Sequence, residues 1–167
     1  MDSEDSASRY ALDAGAFYSG VVFMSSAFRY LTTHAVLEEV KHIKKSHGAI
    51  EALIESNTLQ LVNSDRKTIQ KVVAAARETG DYAKLSEADI SIIALALQLE
   101  IGLVTNDYAV ANVATTLKIT DKSVAGKGIT QTRRWIVYCS ACGKAFGPNA
   151  KECRLCGNRL RRKYKIV

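Results

Sequence analysis

The four cysteines of this 167-residue chain all lie in its last 29 residues, as Cys139–Ser–Ala–Cys142 and, ten residues later, Cys153–Arg–Leu–Cys156. In each CxxC the second cysteine is followed by a glycine, Gly143 or Gly157. Two such turns can present four thiolates tetrahedrally, about 2.3 Å from a zinc ion. Glycine suits them because it takes positive φ without a Cβ penalty. So short a module has little core of its own, and the metal supplies much of its folding energy. A disulfide framework is the competing reading, but it belongs to exported chains. The N-terminal MDSEDSASR is acidic and serine-rich, unlike a signal peptide. A redox CxxC comes singly, near a βαβ pattern. The expectation is a structural zinc ribbon at residues 135–163, its ion held by Cys139, Cys142, Cys153 and Cys156 with no position left open for chemistry. The expected compartment is the cytoplasm, with residues 1–8 a flexible leader.

Charge is segregated along the chain. Residues 122–167 hold 12 Lys/Arg against one acid, Glu152, a net +11, whereas residues 1–121 hold 11 Lys/Arg against 16 acids, a net −5. An acidic body with a basic tail points to an anionic polymer as partner. Arg133, Arg134, Lys144, Arg154, Arg161, Arg162 and Lys163 are the candidate nucleic-acid contacts, interleaved with Trp135, Tyr138, Phe146 and Tyr164. Basic groups hold phosphates and aromatic rings stack on unpaired bases. Trp135 and Tyr138, beside the first knuckle, are read instead as ribbon core. No apolar stretch approaches the roughly 20 residues needed to cross a bilayer, so a membrane partner is not expected.

Upstream, short apolar runs alternate with helical periods. RYALD (9–13) reads as a strand, Thr32 or Thr33 as the cap of a helix to about Lys45, 49–55 as a helix and LQLV (59–62) as a strand. Ser64 is expected to cap a helix with Ile69, Val72, Val73 and Ala76 on one face, stopped by Gly80. Ser86 opens another, with Ile90, Ile93, Ala94 and Leu97 on its buried stripe. LVT (103–105) is then a strand, 108–117 a helix, 121–134 a strand-to-linker passage and 164–167 the end of a basic tail. Such alternation predicts an α/β body with a parallel sheet flanked by helices over residues 9–120. Ligands of open sheets gather at the carboxyl ends of the strands, where Asp13 and Asp107 fall.

Four acids stand out, although each has an ordinary explanation taken singly. Asp13 can be a turn residue before Gly15, Glu39 a solvated helix acid beside Glu38, Asp89 the partner of Ser86 in a capping box, and Asp107 a helix cap. The words around them are more specific: LDAGAF, VLEEV, TGDYAKLSEADISIIALALQLE and LVTNDYAVANVA, in that order. They resemble the PIN-domain nucleases. With the CxxC ribbon downstream, the chain is similar to the Nin-one-binding endoribonucleases, which mature the 3′ end of small-subunit ribosomal RNA. The similarity covers roughly residues 9–163, without the long insertion and tail of the larger eukaryotic relatives, and so suggests a compact, archaeal-like form.

The resemblance implies a metal-dependent endoribonuclease in which Asp13, Glu39, Asp89 and Asp107 are the catalytic acids. Glu39 is chosen over Glu38 because it stands just before the Val40–Lys41 pair. It further implies that Asp13, Asp89 and Asp107 ligate Mg²⁺ or Mn²⁺, with Glu39 supporting a second ion or its water. Expected partners are precursor ribosomal RNA, the small subunit and ribosome-assembly proteins. Clustered carboxylates repel one another unless cations bind, and Mg²⁺ and Mn²⁺ favour oxygen ligands. Thr105 and Asn106 are candidates to orient water or phosphate. His34, His42 and His47 lack ligand spacing and are read as surface residues. With neither GxGxxG nor a P-loop, no nucleotide cofactor is expected. Two other readings stand beside this one: a toxin-like PIN ribonuclease acting on transfer or messenger RNA, and a noncatalytic RNA-binding scaffold.

Overall fold

A computed structural model of the chain describes residues 8–23, 28–41, 47–123, 133–147 and 150–166. The expected leader, His42 and most of the 121–134 passage lie outside these residues, as do the side chains of His47 and Arg133. The body is a five-stranded parallel sheet: β1 (Arg9–Leu12), β2 (Arg29–Thr32), β3 (Leu59–Leu61), β4 (Gly102–Thr105) and β5 (Asp121–Ser123), in the order β3-β2-β1-β4-β5. The chain steps outward from β1 to β3, then crosses back to place β4 on the other side of β1. The order therefore reverses between β1 and β4, and in open parallel sheets such a reversal leaves a crevice beyond the strand ends. Asp13 follows β1 and Asp107 follows β4, so both stand at that crevice.

Helices α1 (Ala14–Tyr18), α2 (His34–Val40), α3 (His47–Glu55), α4 (Arg66–Thr79), α5 (Glu87–Leu99) and α6 (Tyr108–Thr116) cover the sheet. Leu12, Leu59, Leu103, Ile92, Ile93, Leu95, Val110 and Val113 are among the fully buried side chains that fill the space between. The expected single stripe on α5 is widened: Ala88 and the whole run Ile92–Ala96 are buried, because the helix is covered on nearly every side. Strand β2 was not expected from the sequence. Its Tyr30, Leu31 and Thr32 are buried in succession, as in a strand covered on both faces, and so leave no alternating signal. The cap of α4 is Asp65 rather than Ser64: the Asp65 carboxyl accepts from Thr68 N at 2.7 Å, three residues on, where an N-cap side chain must reach. Among the described residues, no helix is long and apolar enough to cross a membrane.

The C-terminal ribbon pairs β6 (Arg133–Cys139) with β7 (Ala145–Phe146) and with β8 (Leu160–Ile166), all antiparallel. Residues 164–166, expected as a tail, continue β8 and pair with 133–135. The ribbon sits on the end of α4. Gly80 closes that helix at φ 78°, and a Cβ there would meet Trp135 Cβ at 3.0 Å and Trp135 O at 3.2 Å. Both the left-handed turn and the close seat require glycine. Gly80→Ala is expected to cost about 1–2 kcal/mol for the left-handed residue and more for the overlap. Urea unfolding measures the cost, and the fluorescence of Trp135, the sole tryptophan, reports the disturbed seat.

Candidate metal centres

Each acid at the crevice is held by a helix N-terminus. Asp13 caps α1, its Oδ1 accepting from Ala16 N at 2.8 Å. Thr105, at the end of β4, donates its hydroxyl to Asp13 Oδ2, and the same Oγ1 accepts from Asp107 N at 3.0 Å. One hydroxyl, 92 residues along the chain from the first acid, thus ties it to the fourth. Asp107 caps α6, with Oδ1 accepting from Ala109 N at 2.6 Å and Val110 N at 3.1 Å. Asp89 completes a capping box on α5: its Oδ2 accepts from Ser86 N at 2.8 Å while Ser86 Oγ accepts from Asp89 N at 3.1 Å. The ordinary explanations of these acids and their shared location thus coincide, since capping a helix at the sheet's carboxyl edge puts the carboxylate at the crevice.

Asp13 is 3% exposed, Asp89 half-buried and Asp107 exposed. Burial pushes the Asp13 carboxyl above its ordinary range, opposed by the Thr105 and Ala16 hydrogen bonds and reinforced by the charges of Asp89 and Asp107. The three acids therefore share one electrostatic environment, in which ionising the buried member is uphill. Oxygen donors with excess negative charge are the chemistry a hard divalent cation takes, but the ligand oxygens of Asp13, Asp89 and Asp107 do not all lie within 4.8 Å of one another. Glu39 is exposed on α2 and lines a cleft of about 730 Å³ with His34, Glu38, Ser86, Ala88 and Ser91. Thr33 caps α2 and its Oγ1 lies 2.6 Å from Ser91 Oγ, tying the Glu39 helix to the Asp89 helix. His34 is exposed and bonded to Asn63.

Among the described residues, the four cysteines form the one group with three or more metal-ligand atoms all within 4.8 Å of one another. Cys139 and Cys156 sulfurs are 3.5 Å apart, and those of Cys142 and Cys153 3.6 Å. A tetrahedron with bonds of about 2.3 Å has edges of about 3.8 Å, so the group fits a zinc ion. Gly143 and Gly157 close the two knuckles at φ 72° and 67°. The backbone amides of Cys142 and Ala141 point at Cys139 and lower its thiol to about 6, favouring the thiolate a metal needs.

The basic residues divide between two tasks. Arg134 pairs with Glu78 on α4, and Arg162 donates to Gly80 O at 2.6 Å with its guanidinium 5.3 Å from the Trp135 ring. Lys144, Arg154 and Arg161 are exposed, and Lys163 lies 4.4 Å over Tyr138. Trp135 packs edge-on against Tyr164 at 5.4 Å. Asp81, absent from the sequence-based candidates, is fully buried and accepts from Asn112 Nδ2 at 2.7 Å. Its place directly after the helix-stopping Gly80 was the one available signal.

Comparison with known proteins agrees with this geometry. Residues 11–99 match the PIN domain of ribonuclease, and the chain is accordingly an RNA-cleaving hydrolase of that class. Endoribonuclease Nob1 of Methanocaldococcus jannaschii is 33% identical over 154 residues, 91% of this chain and 76% of that protein, a span too long for the body alone. Ribonuclease VapC1 of Thermoplasma acidophilum is 32% identical over 130 residues, 78% of this chain and 66% of that protein. The 20S-pre-rRNA D-site endonuclease NOB1 of Saccharomyces cerevisiae is 35% identical over 86 residues, 52% of this chain and 18% of the yeast protein. The chain belongs to the Nob1 endoribonucleases.

A raised Asp13 pKa means that the folded state disfavours the ionised carboxyl. Stability is therefore full below the unfolded value and falls as pH rises through the folded one. Asp13→Asn is thus expected to melt higher than wild type in EDTA at mildly alkaline pH. The gap should close in acid, where the wild-type carboxyl is itself neutral; calorimetry across pH measures it.

Proposed function

We propose that this chain cuts precursor small-subunit ribosomal RNA at its 3′ end by two-metal phosphodiester hydrolysis, acting in the cytoplasm on the assembling subunit. The observation that carries this reading is the Asp13 carboxyl, buried where the strand order reverses and tied through the Thr105 hydroxyl to Asp107, its pKa raised by that burial and further by the charges of Asp89 and Asp107. The substrate comes from the relatives: the yeast protein's name specifies a 20S-pre-rRNA site. Asp13, Asp89 and Asp107 hold Mg²⁺ or Mn²⁺, and Glu39 supports a second ion or its water. Such ions, when bound, would supply an activated water and neutralise charge on the leaving 3′ oxygen. Thr105 fixes the orientation of Asp13, and Asn106, exposed beside it, faces the incoming phosphate or water. Cys139, Cys142, Cys153 and Cys156 hold zinc.

An acidic crevice repels RNA, so the ribbon supplies the grip. Arg133, Lys144, Arg154, Arg161 and Lys163 engage phosphates, while Arg134 and Arg162 do so in addition to their contacts with the body. Ribosome-assembly proteins are the partners that would present the substrate. The similarity to a VapC ribonuclease favours one second reading, a toxin-like enzyme on transfer or messenger RNA. Competition among the three RNA classes separates the two.

Asp107→Asn is expected to abolish cleavage of a precursor RNA spanning the mature 3′ end while leaving its affinity largely intact. Thr105→Val, which removes a partner of a ligand rather than a ligand, should slow cleavage roughly 10- to 100-fold. Gel assays with Mn²⁺ and with EDTA measure both. Cleavage that survives in Asp107→Asn, or proceeds in EDTA, defeats the metal mechanism. Replacing Arg161 and Lys163 with Met should weaken binding of all RNAs alike and lower the salt slope by about one for each phosphate no longer neutralised.

A further inference from the structure

The segment that seats the ribbon is also the segment that leads into Asp89. Gly80 meets Trp135, and its carbonyl accepts from Arg162 at 2.6 Å. Asp81 follows, buried against Asn112. Lys84, on the 3₁₀ turn Tyr82–Lys84, has its N–H bonded to Asp81 O at 2.8 Å. Its Nζ lies 3.9 Å from Asp81 Oδ1 and 4.5 Å over the Trp135 ring. Lys84 therefore bridges a buried carboxyl of the body and the aromatic anchor of the ribbon. One residue further on, Leu85 N bonds back to Tyr82 O at 3.3 Å, and Ser86 then opens α5 and clamps the Asp89 carboxyl through both its amide and its hydroxyl. From the ribbon's seat to the third acid there is thus an unbroken run of short-range interactions.

We propose that the zinc ribbon positions the metal site as well as gripping RNA: Trp135, Arg162 and Lys84 hold the Gly80–Ser86 segment, and through it set where Asp89 lies relative to Asp13 and Asp107. The inference rests on the nuclease reading above and assigns Arg162, whose sequence context suggests only a phosphate contact, to a second role. Among the described residues, Arg77 bears on the segment through the Tyr82 ring, 5.0 Å away, and three further charged side chains act at the ribbon's seat. Arg162 acts on the Gly80 carbonyl, Lys84 on Asp81 and Trp135, and Arg134 on Glu78 at the end of α4. Losing any one loosens the seat without touching the acids.

The test uses the zinc-loaded full chain and the variants Lys84→Met, Lys84→Arg and Arg162→Met. It has two readouts: Mn²⁺ affinity by calorimetry, and kcat and KM on a single-stranded oligonucleotide spanning the precursor 3′ end. Lys84→Met should bind Mn²⁺ about five- to tenfold more weakly and lose kcat by a similar factor at unchanged KM, as residues acting through a coupled element do. Arg162→Met should show the same two losses together with a higher KM from its lost phosphate contact. Lys84→Arg, which keeps the cation over Trp135, should retain both. Unchanged Mn²⁺ affinity in Lys84→Met and Arg162→Met, or a rise in KM with kcat intact, overturns the proposal and leaves Arg162 an RNA contact. Lys84→Met preserves the Arg162–Gly80 bond, so it decides the matter if a thermal melt shows Arg162→Met unfolded. A wild type that binds Mn²⁺ without cutting RNA refutes the nuclease reading alone, and the Mn²⁺ affinities still decide the coupling.

Discussion

A carboxyl group with almost no contact with water, placed near two other carboxyls, is the constraint around which the body is arranged. Asp13 cannot ionise cheaply there, and among the described residues a hydroxyl, a backbone amide and the partial positive charge of a helix N-terminus counter the cost. Neighbouring features follow from keeping that group satisfied. Thr105 must end β4 with its hydroxyl turned toward β1, and β4 must lie beside β1 rather than at an edge. α1 must begin directly after β1 so that an amide is available. The fold thus creates a local excess of negative charge, the kind of repulsion that a bound cation would relieve.

The same electrostatic logic links body and ribbon. An acidic body and a strongly basic C-terminus attract one another before either meets RNA. Part of the ribbon's charge is turned inward, toward Glu78 and the Gly80 carbonyl. Alternation along β8 accounts for Arg162, which falls with Tyr164 on the face carrying Trp135, while Arg161, Lys163 and Lys165 take the other; Arg134 shares that second face and reaches Glu78 from it. A ribbon docked by one face presents the second to a polyanion. The clustered cysteines matter here because two short knuckles without a substantial core cannot hold seven-residue strands in register by packing alone, and a metal at that cluster would supply the missing free energy.

Much of this was legible in the chain because it depends on short spacings. The CxxC pairs, the Ser86–Asp89 box, the Gly80 stop and the Asp107 cap each involve residues within a few positions of one another, where geometry follows from helix or turn periodicity. What escaped reading was less local. β2 carries no alternation because both its faces are buried, and α5 is covered on nearly every side by elements from distant parts of the chain. Asp65 displaced Ser64 as a cap because one residue of register decides which side chain reaches N3. Asp81 was not singled out, since its hydrogen-bond partner Asn112 lies 31 residues away.

By itself, then, the sequence determined the paired CxxC knuckles, most of the helix caps, the alternation that demands a parallel sheet, and the order of acids that marks the family. Each depends on residue type and on distances along the chain, which covalent geometry converts directly into distances in space. Only the tertiary structure decided that Asp13, Asp89 and Asp107 share one field, that Thr105 joins two of them, and that Arg134 and Arg162 turn toward the body. Those outcomes require strands and helices remote in sequence to pack at one sheet edge and one helix end, and the free energy of that packing is spread over the whole core rather than written at any one position.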